Sequence, residues 1–197
     1  MSPRVAPVYK IEVKARIVQA AIECFSEFGF SGTRMEEIAK RVGLGKGTIY
    51  LYFESKEDLF GAICEFYLDE LKSHFSELLA SNLDLVADAD KIYDNSKKLG
   101  VNQHLMFLEI MLESVHNERL RKALHEHRLK VTQEVKEFLE KQGHLFQRKK
   151  NLNPGDLAIG FVALYDGISL NRIQGINDKA NRSAWLAMVR AVMSGDD

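Results

Sequence analysis

Residues 33 to 53 read TRMEEIAKRVGLGKGTIYLYF, and the spacing of one threonine–glutamate pair and three glycines in them decides how the chain folds. Thr33 stands three residues before Glu36, the spacing of a capping box in which the hydroxyl accepts a helix N–H and the carboxylate reaches back, so a helix starts near Arg34. Ile38, Ala39 and Val42 fall on one face of it, with Ala39 small enough to let a second helix cross closely. Gly43 ends the helix, because only a residue tolerant of positive φ caps that turn without strain. Leu44 fills the turn, and the run from Gly45 to Phe53 restarts a helix whose buried spokes are Ile49 and Phe53. Two short helices about a glycine turn make a helix-turn-helix, and its outward side shows Lys46, Thr48, Tyr50 and Tyr52.

That outward side suits a phosphate backbone. A helix entering a major groove sets its N-terminal residues against base edges, while lysines, hydroxyls and N–H groups grip phosphates; here that end is Gly45, Lys46, Gly47 and Thr48. Two glycines there cost roughly 1 kcal/mol each relative to alanine, which makes sense where the backbone must approach another surface closely. From Ile38 to Phe53 the charges are Lys40, Arg41 and Lys46 without one acid, although the whole chain carries a formal net charge of -1. The positive field is local, as a footprint on double-stranded DNA requires.

Residues 10 to 62 resemble the DNA-binding domain of the TetR/AcrR family of transcriptional regulators. The segment Gly43 to Phe60, GLGKGTIYLYFESKEDLF, is similar to that family's signature almost letter for letter. The resemblance implies phosphate contacts from Thr33, Tyr50, Tyr52 and Lys56, and base-facing roles for Lys46, Gly47 and Thr48. One departure is Gly45, where the family usually has Ser or Thr as the cap; glycine caps only a little less well, so the difference bears on base preference more than on fold.

At 197 residues the chain is long enough for a small DNA-binding domain and a larger second one, and 46% hydrophobic with 28% charged residues is ordinary for a globular protein. Its prolines are Pro3, Pro7 and Pro154, so the strongest helix breaker is missing from residues 8 to 153. An all-α chain is expected, and the resemblance implies a three-helix helix-turn-helix domain at 1–53 and a helical effector-binding and dimerisation domain at 54–197. No apolar run approaches the roughly 20 residues of a membrane span, and MSPRVAPVYK lacks the apolar core of a signal peptide; a cytoplasmic protein without a membrane partner is expected.

Along the chain, Met1 to Val8 reads as an aperiodic arm. A helix from Tyr9 to Phe28 carries Ile17, Ala20, Ala21, Cys24, Phe25 and Phe28 on one stripe, the two phenylalanines packing under the helix-turn-helix. Ser55 with Asp58 opens a long helix from Lys56 to about Ala80, with Leu59, Ile63, Phe66, Leu71, Phe75 and Leu78 inward; it is the expected mechanical link between the domains. Asn82 to Asp90 reads as a connection, followed by a modest helix through Ile92, Tyr93 and Leu99 before Gly100. Gln103 to Val115, apolar nearly all round, should be buried. Asn117 caps a helix to Gln142, with Gly143 past its end and a solvated, charged outer face. His144 to Leu152 is a basic loop. Asn153, Pro154 and Asp156 announce the next helix, and a last one follows a loop near Gly175.

The two terminal helices carry Phe161, Tyr165, Ile168, Trp185, Met188 and Val189. From pattern alone these residues either close the core or pair with a second copy across a two-fold axis. The resemblance, which here rests on helix order and the Asp166–Gly167 step, implies the second: a four-helix homodimer interface. Phe66, Tyr93, Phe107, Met111, Phe161 and Tyr165 are candidates for an apolar effector pocket, though Met and aromatic stripes are also plain core. The FLEIMLES segment together with GTIYLYF resembles members that sense fatty acyl-CoA, and Arg148, Lys149 and Lys150 could meet a charged head group.

Other chemistry finds no support. GLGKG lacks the third glycine of a dinucleotide fingerprint, which has Thr48 in its place, and the Walker pattern would need glycine at Lys40 and Ser or Thr at Gly47. His125 and His127 are two apart and face different ways on a helix, so no metal and no cofactor is expected. Cys24 and Cys64 read as small buried apolar residues. No Ser/His/Asp set or paired carboxylate stands out, so the chain is expected not to be an enzyme. The helix-turn-helix alone says that the chain binds DNA, and the resemblance implies a ligand-responsive regulator of transcription, usually a repressor; the alternatives are an architectural DNA-binding protein without effector and a small-molecule carrier or enzyme with an incidental helix-turn-helix.

Overall fold

The structure, a computed structural model, describes residues 7–80, 85–95, 97, 101–141 and 153–193. Its described residues form nine helices and no strand. They are α1 (Pro7–Gly32), α2 (Met35–Val42), α3 (Lys46–Ile49), α4 (Lys56–Ala80), α5 (Ala89–Asn95), α6 (Val101–Glu113), α7 (Glu118–Lys141), α8 (Pro154–Ile173) and α9 (Asp178–Met193). Most of the expected arm, part of the Asn82 to Asp90 connection, Leu99 and Gly100, and the basic loop with Gly143, Arg148, Lys149 and Lys150 lie outside the described residues.

The expected helix starts hold where the cap is made by atoms close in sequence. Asn153 accepts from the Gly155 N–H at 2.7 Å, Asn117 from the Leu120 N–H at 3.2 Å, and Ser55 from the Asp58 N–H at 3.1 Å. At α2 the cap is displaced by one residue. Arg34 is the N-cap, and its N–H donates to Glu37 Oε2 at 2.8 Å, so Glu37 does the work expected of Glu36. Gly43 closes α2 at φ 77°, with its N–H on Lys40 O and the Leu44 N–H on Ala39 O, the paired bonds of a Schellman end.

Packing divides the chain into two compact units, Met1–Phe66 with Leu105–His125, and Tyr67–His104 with Glu126–Asp197. The expected boundary after Phe53 falls inside the first. In that unit α1 passes through a kink at Gly29, whose φ of 74° and ψ of 166° are not helical. The kink shifts the helical phase, so the aromatic partner of buried Phe25 is Phe30, 5.1 Å away between centroids, while Phe28, expected in the core, is half exposed with Arg41 over its ring. The Phe30 N–H donates to Glu109 Oε1 at 3.0 Å and the Ser31 hydroxyl to Glu113, so two carboxylates of α6 hold this bend. The same helix was expected to be buried all round. It buries Met106 and Ile110, but Leu105, Met111 and Leu112 are exposed.

The core of the second unit gathers Leu78, Tyr93, Phe138, Ile168, Trp185 and Val189. Trp185 Nε1–H donates to Ala89 O at 2.9 Å, and Arg182 bridges Asp90, at 2.6 Å, and Asp94, tying α9 to α5. None of the described helices is long and apolar enough to cross a membrane.

Candidate nucleic-acid interface

Ile49 and Phe53 are buried as their spacing requires, which turns Gly47, Thr48, Tyr50, Leu51 and Tyr52 away from the core. The helix expected through Phe53 stops after four residues at Ile49. Beyond it the Leu51 and Tyr52 N–H groups bond the carbonyls of Thr48 and Ile49, three residues back, in a tightened turn, and the Phe53 N–H returns to Ile49 O, four back. Gly45 and Gly47, both poor helix formers, stand at the head of this short element.

Those two glycines have no internal reason to be glycine. A Cβ at Gly47 would meet nothing within 4 Å, and one at Gly45 would make only an ordinary contact, 3.6 Å from Thr48 Oγ1. The space above them is open, as it must be if another surface is to come close.

Lys46 projects outward, with 73% of its side chain exposed, and its Nζ pairs with Glu36 Oε1 at 2.7 Å. Each partner shifts the other: hydrogen bonding to Lys46 holds the Glu36 carboxyl below its ordinary range, and hydrogen bonding to Glu36 raises the Lys46 ammonium. Arg41 is held by Glu27 at 2.6 Å and Glu23 at 3.7 Å. The acid-free run from Ile38 to Phe53 is therefore met in space by acids that precede it in sequence. Glu36→Gln should raise affinity for DNA of any sequence severalfold at low salt, by removing a carboxylate that competes with phosphate for Lys46. Lys46→Ala should instead reduce discrimination between bases, by roughly 5- to 150-fold if Lys46 bonds a base edge. Titrations of both variants against several duplexes at two salt concentrations separate these outcomes.

Two of the expected phosphate contacts have inward duties. Thr33 is 1% exposed, and its hydroxyl lies 2.7 Å from Gly29 O and 3.1 Å from Cys24 O, so it staples the bend of α1 and its side chain does not reach the surface. Lys56 donates to Phe30 O at 2.6 Å and lies 4.6 Å above the Phe30 ring. Its remaining N–H donors can still serve a phosphate. Tyr50 is exposed and Tyr52 half-buried, on the same outward surface as Lys46 and Thr48.

The six effector candidates are not brought together in one unit. Phe66, Phe107 and Met111 belong to the first unit, and Tyr93, Phe161 and Tyr165 to the second. Tyr93 is fully buried and structural. Its hydroxyl donates to Asp178 Oδ1 at 2.8 Å, and Lys97, Arg172 and Arg182 lie 4.9, 5.2 and 5.0 Å from its ring centre. Tyr165 is half-buried, 3.2 Å from His104 Nε2, and burial pushes its hydroxyl up to about 12. A cleft of about 330 Å³ in the second unit is lined instead by Lys72, Phe75, Ser76 and Leu79 of α4 and Glu134, Glu137, Phe138 and Lys141 of α7, with Phe75 and Phe138 stacked at 4.6 Å.

The expected dimer residues divide in the same way. Ile168, Trp185 and Val189 are buried in this chain's own core and cannot also meet a second copy. Phe161 and Tyr165 are half-buried, and Met188 is exposed. The outer faces of the terminal helices carry small residues that a search for bulky aromatics passes over: Ala163 and Gly167 between Ile159 and Leu170 on α8, and Ala184, Ala187 and Ala191 beside Met188 on α9. Their three- and four-residue spacing was the available signal.

A capped α2, a glycine turn and a short outward-facing α3 on an all-helical frame define a helix-turn-helix protein. Residues 17–63 match the model of the family described as bacterial regulatory proteins, tetR family. Over those residues the chain is similar to the regulatory proteins of the TetR family. It is 40% identical over 73 residues to the HTH-type transcriptional regulator YhgD of Bacillus subtilis, a match covering 37% of this chain and 38% of that protein. Among solved structures, a TetR-family regulator from Rhodococcus sp. superposes with a TM-score of 0.80 at 20% identity, covering 93% of this chain and 99% of that one. FadR of Bacillus subtilis, solved in complex with stearoyl-CoA, does so at 0.73 and 20%, covering 93% and 99%. These two likenesses are of fold, whereas the sequence match spans little more than a third of YhgD.

Proposed function

We propose that this chain is a homodimeric regulator of transcription that binds double-stranded operator DNA through α2 and α3 and is released by a small, largely apolar effector, with fatty acyl-CoA as the first compound to try. The observation that carries the DNA reading is the outward surface around α3, where exposed Lys46 stands between two glycines that nothing inside the protein requires and exposed Tyr50 follows. A two-fold dimer places two such surfaces on half-sites one helical turn apart, about 34 Å. The small-residue faces of α8 and α9 support a four-helix contact between copies.

The effector reading rests on the stacked phenylalanines of the α4–α7 cleft, whose rim carries Lys72, paired with Glu134 at 3.2 Å, Glu137 and Lys141, and on FadR, which carries stearoyl-CoA on the same fold. Release follows if the effector displaces α4, which contributes residues to both packing units and bears Lys56 at its start. A coupling of about 1–3 kcal/mol lowers operator affinity roughly 5- to 150-fold, and operator DNA must weaken effector binding by the same factor.

Selection from a random duplex pool should yield a palindromic operator. Calorimetric titration of stearoyl-CoA should then give weaker binding to the operator complex than to free protein. A selected operator with equal acyl-CoA affinity in both titrations would rule out acyl-CoA as the releasing ligand. Binding of all duplexes alike would favour an architectural protein, and no DNA binding at all would favour a carrier or enzyme.

A further inference from the structure

Leu51 is 83% exposed, and it lies on the surface that should meet DNA. A single surface leucine needs no explanation; its position does. Ile49 and Phe53 fix the inward direction of the turn, and at helical spacing Leu51 points opposite to them, on the same face as Gly47 one turn earlier. Gly47 lies on the same outward surface, and nothing stands within 4 Å of where its Cβ would be, so the space there is open to a second molecule. Tyr50 and Tyr52 flank it in sequence, and Lys46 supplies positive charge on the same short element.

Within the DNA-binding reading above, on which this inference rests, we infer that Leu51 is a specificity-determining residue that packs on the C5-methyl group of thymine in the major groove. The chemistry is direct. Thymine is the one base that offers an apolar knob there, and apolar side chains recognise it by contact. Glycine at position 47 leaves the leucine free to lie flat against the base edge, with Lys46 and Thr48 on the neighbouring polar edges. The side chain has no donor or acceptor, so the readout separates thymine from bases lacking the methyl and tolerates 5-methylcytosine.

The test uses the full chain and an operator selected from random duplexes, with each thymine replaced in turn by deoxyuridine, which lacks only that methyl. At one position per half-site, uracil should weaken binding by the wild-type protein about fourfold, the factor carried by one buried methyl-sized group, and about 15-fold when both half-sites are changed. Leu51→Ala should bind both duplexes equally, and Leu51→Met should restore the difference. The leucine is exposed, so neither variant should alter folding, which circular dichroism checks. Uracil tolerated at every position by the wild type, or an equal uracil penalty in Leu51→Ala, overturns the inference while the DNA-binding reading stands. A pool that yields no preferred duplex overturns both.

Discussion

If the proposed dimer forms through α8 and α9, Ala163→Arg and Ala187→Arg should each give a folded protein that sediments as a monomer and loses its operator. Both alanines are exposed on the outer faces of α8 and α9, so a long charged side chain is harmless to the isolated protomer. In a four-helix contact built on small residues the same side chain has no room and no counter-charge, and burying it unpaired is prohibitive. Operator affinity should fall by about 10³-fold or more, toward non-specific binding, because one half-site alone supplies little discrimination. Trp185→Asp, the substitution the sequence suggests, is a poor test. Trp185 sits in the chain's own core with its indole N–H on Ala89 O, and an aspartate there would disrupt the second unit whether or not the protein dimerises. Sedimentation velocity on the two arginine variants, beside circular dichroism, decides the matter. A dimer as stable as wild type in both would place the contact elsewhere.

Gly29→Ala should be the most destabilising single methyl in the first unit. At φ 74° and ψ 166° the backbone occupies a region open essentially to glycine alone, which costs roughly 1–3 kcal/mol for another residue. The added Cβ would also stand 2.2 Å from Glu109 Oε1. That carboxylate can swing away only by releasing the Phe30 N–H, and an orphaned donor there costs about 1–3 kcal/mol more. The sum, about 2–6 kcal/mol, rivals the whole stability of many domains. Urea unfolding should show it as a lower midpoint. In a Glu109→Ala background the steric part is already absent, so Gly29→Ala should cost only its backbone share. Equal penalties in both backgrounds would mean that Glu109 does not hold the bend.

The elements that could be read from sequence are those whose signal is local. Ser55, Asn117 and Asn153 each cap a helix through atoms within three residues, and Gly43 closes α2 by its own backbone freedom. The displaced cap of α2 shows where locality fails. Thr33 with Glu36 and Arg34 with Glu37 have the same spacing of acid, and the choice between them is made by Cys24 and Gly29, whose carbonyls engage the Thr33 hydroxyl inside the bend of α1. Phe28 and Phe30 exchange places because Gly29 breaks the helical phase. At the candidate interface, Lys46 and Tyr50 were legible as outward polar residues. Leu51 was not, since a leucine beside buried Ile49 reads as core. Nor was the Glu36–Lys46 pair, whose ten-residue separation closes only through the turn at Gly43. On α8 and α9 buried Ile168, Trp185 and Val189 could not be told from half-buried Phe161 and Tyr165 or exposed Met188, because bulky apolar residues at helical spacing serve a core and an interface alike.

That carboxylate on Lys46 has a kinetic side as well. A regulator must find one operator among the 10⁶ to 10⁹ competing sites of a genome, and time spent on each wrong site lengthens the search. Glu36 acts as a counterion that never diffuses away. On random DNA, a phosphate must displace it with nothing further to gain, so residence is brief. On the operator, base-edge contacts made at the same moment offset the broken pair, and the complex persists. If the chain binds an operator as proposed, the acid would trade some grip everywhere for a faster passage between sites, and a protein lacking it would hold more DNA while arriving later at the right place.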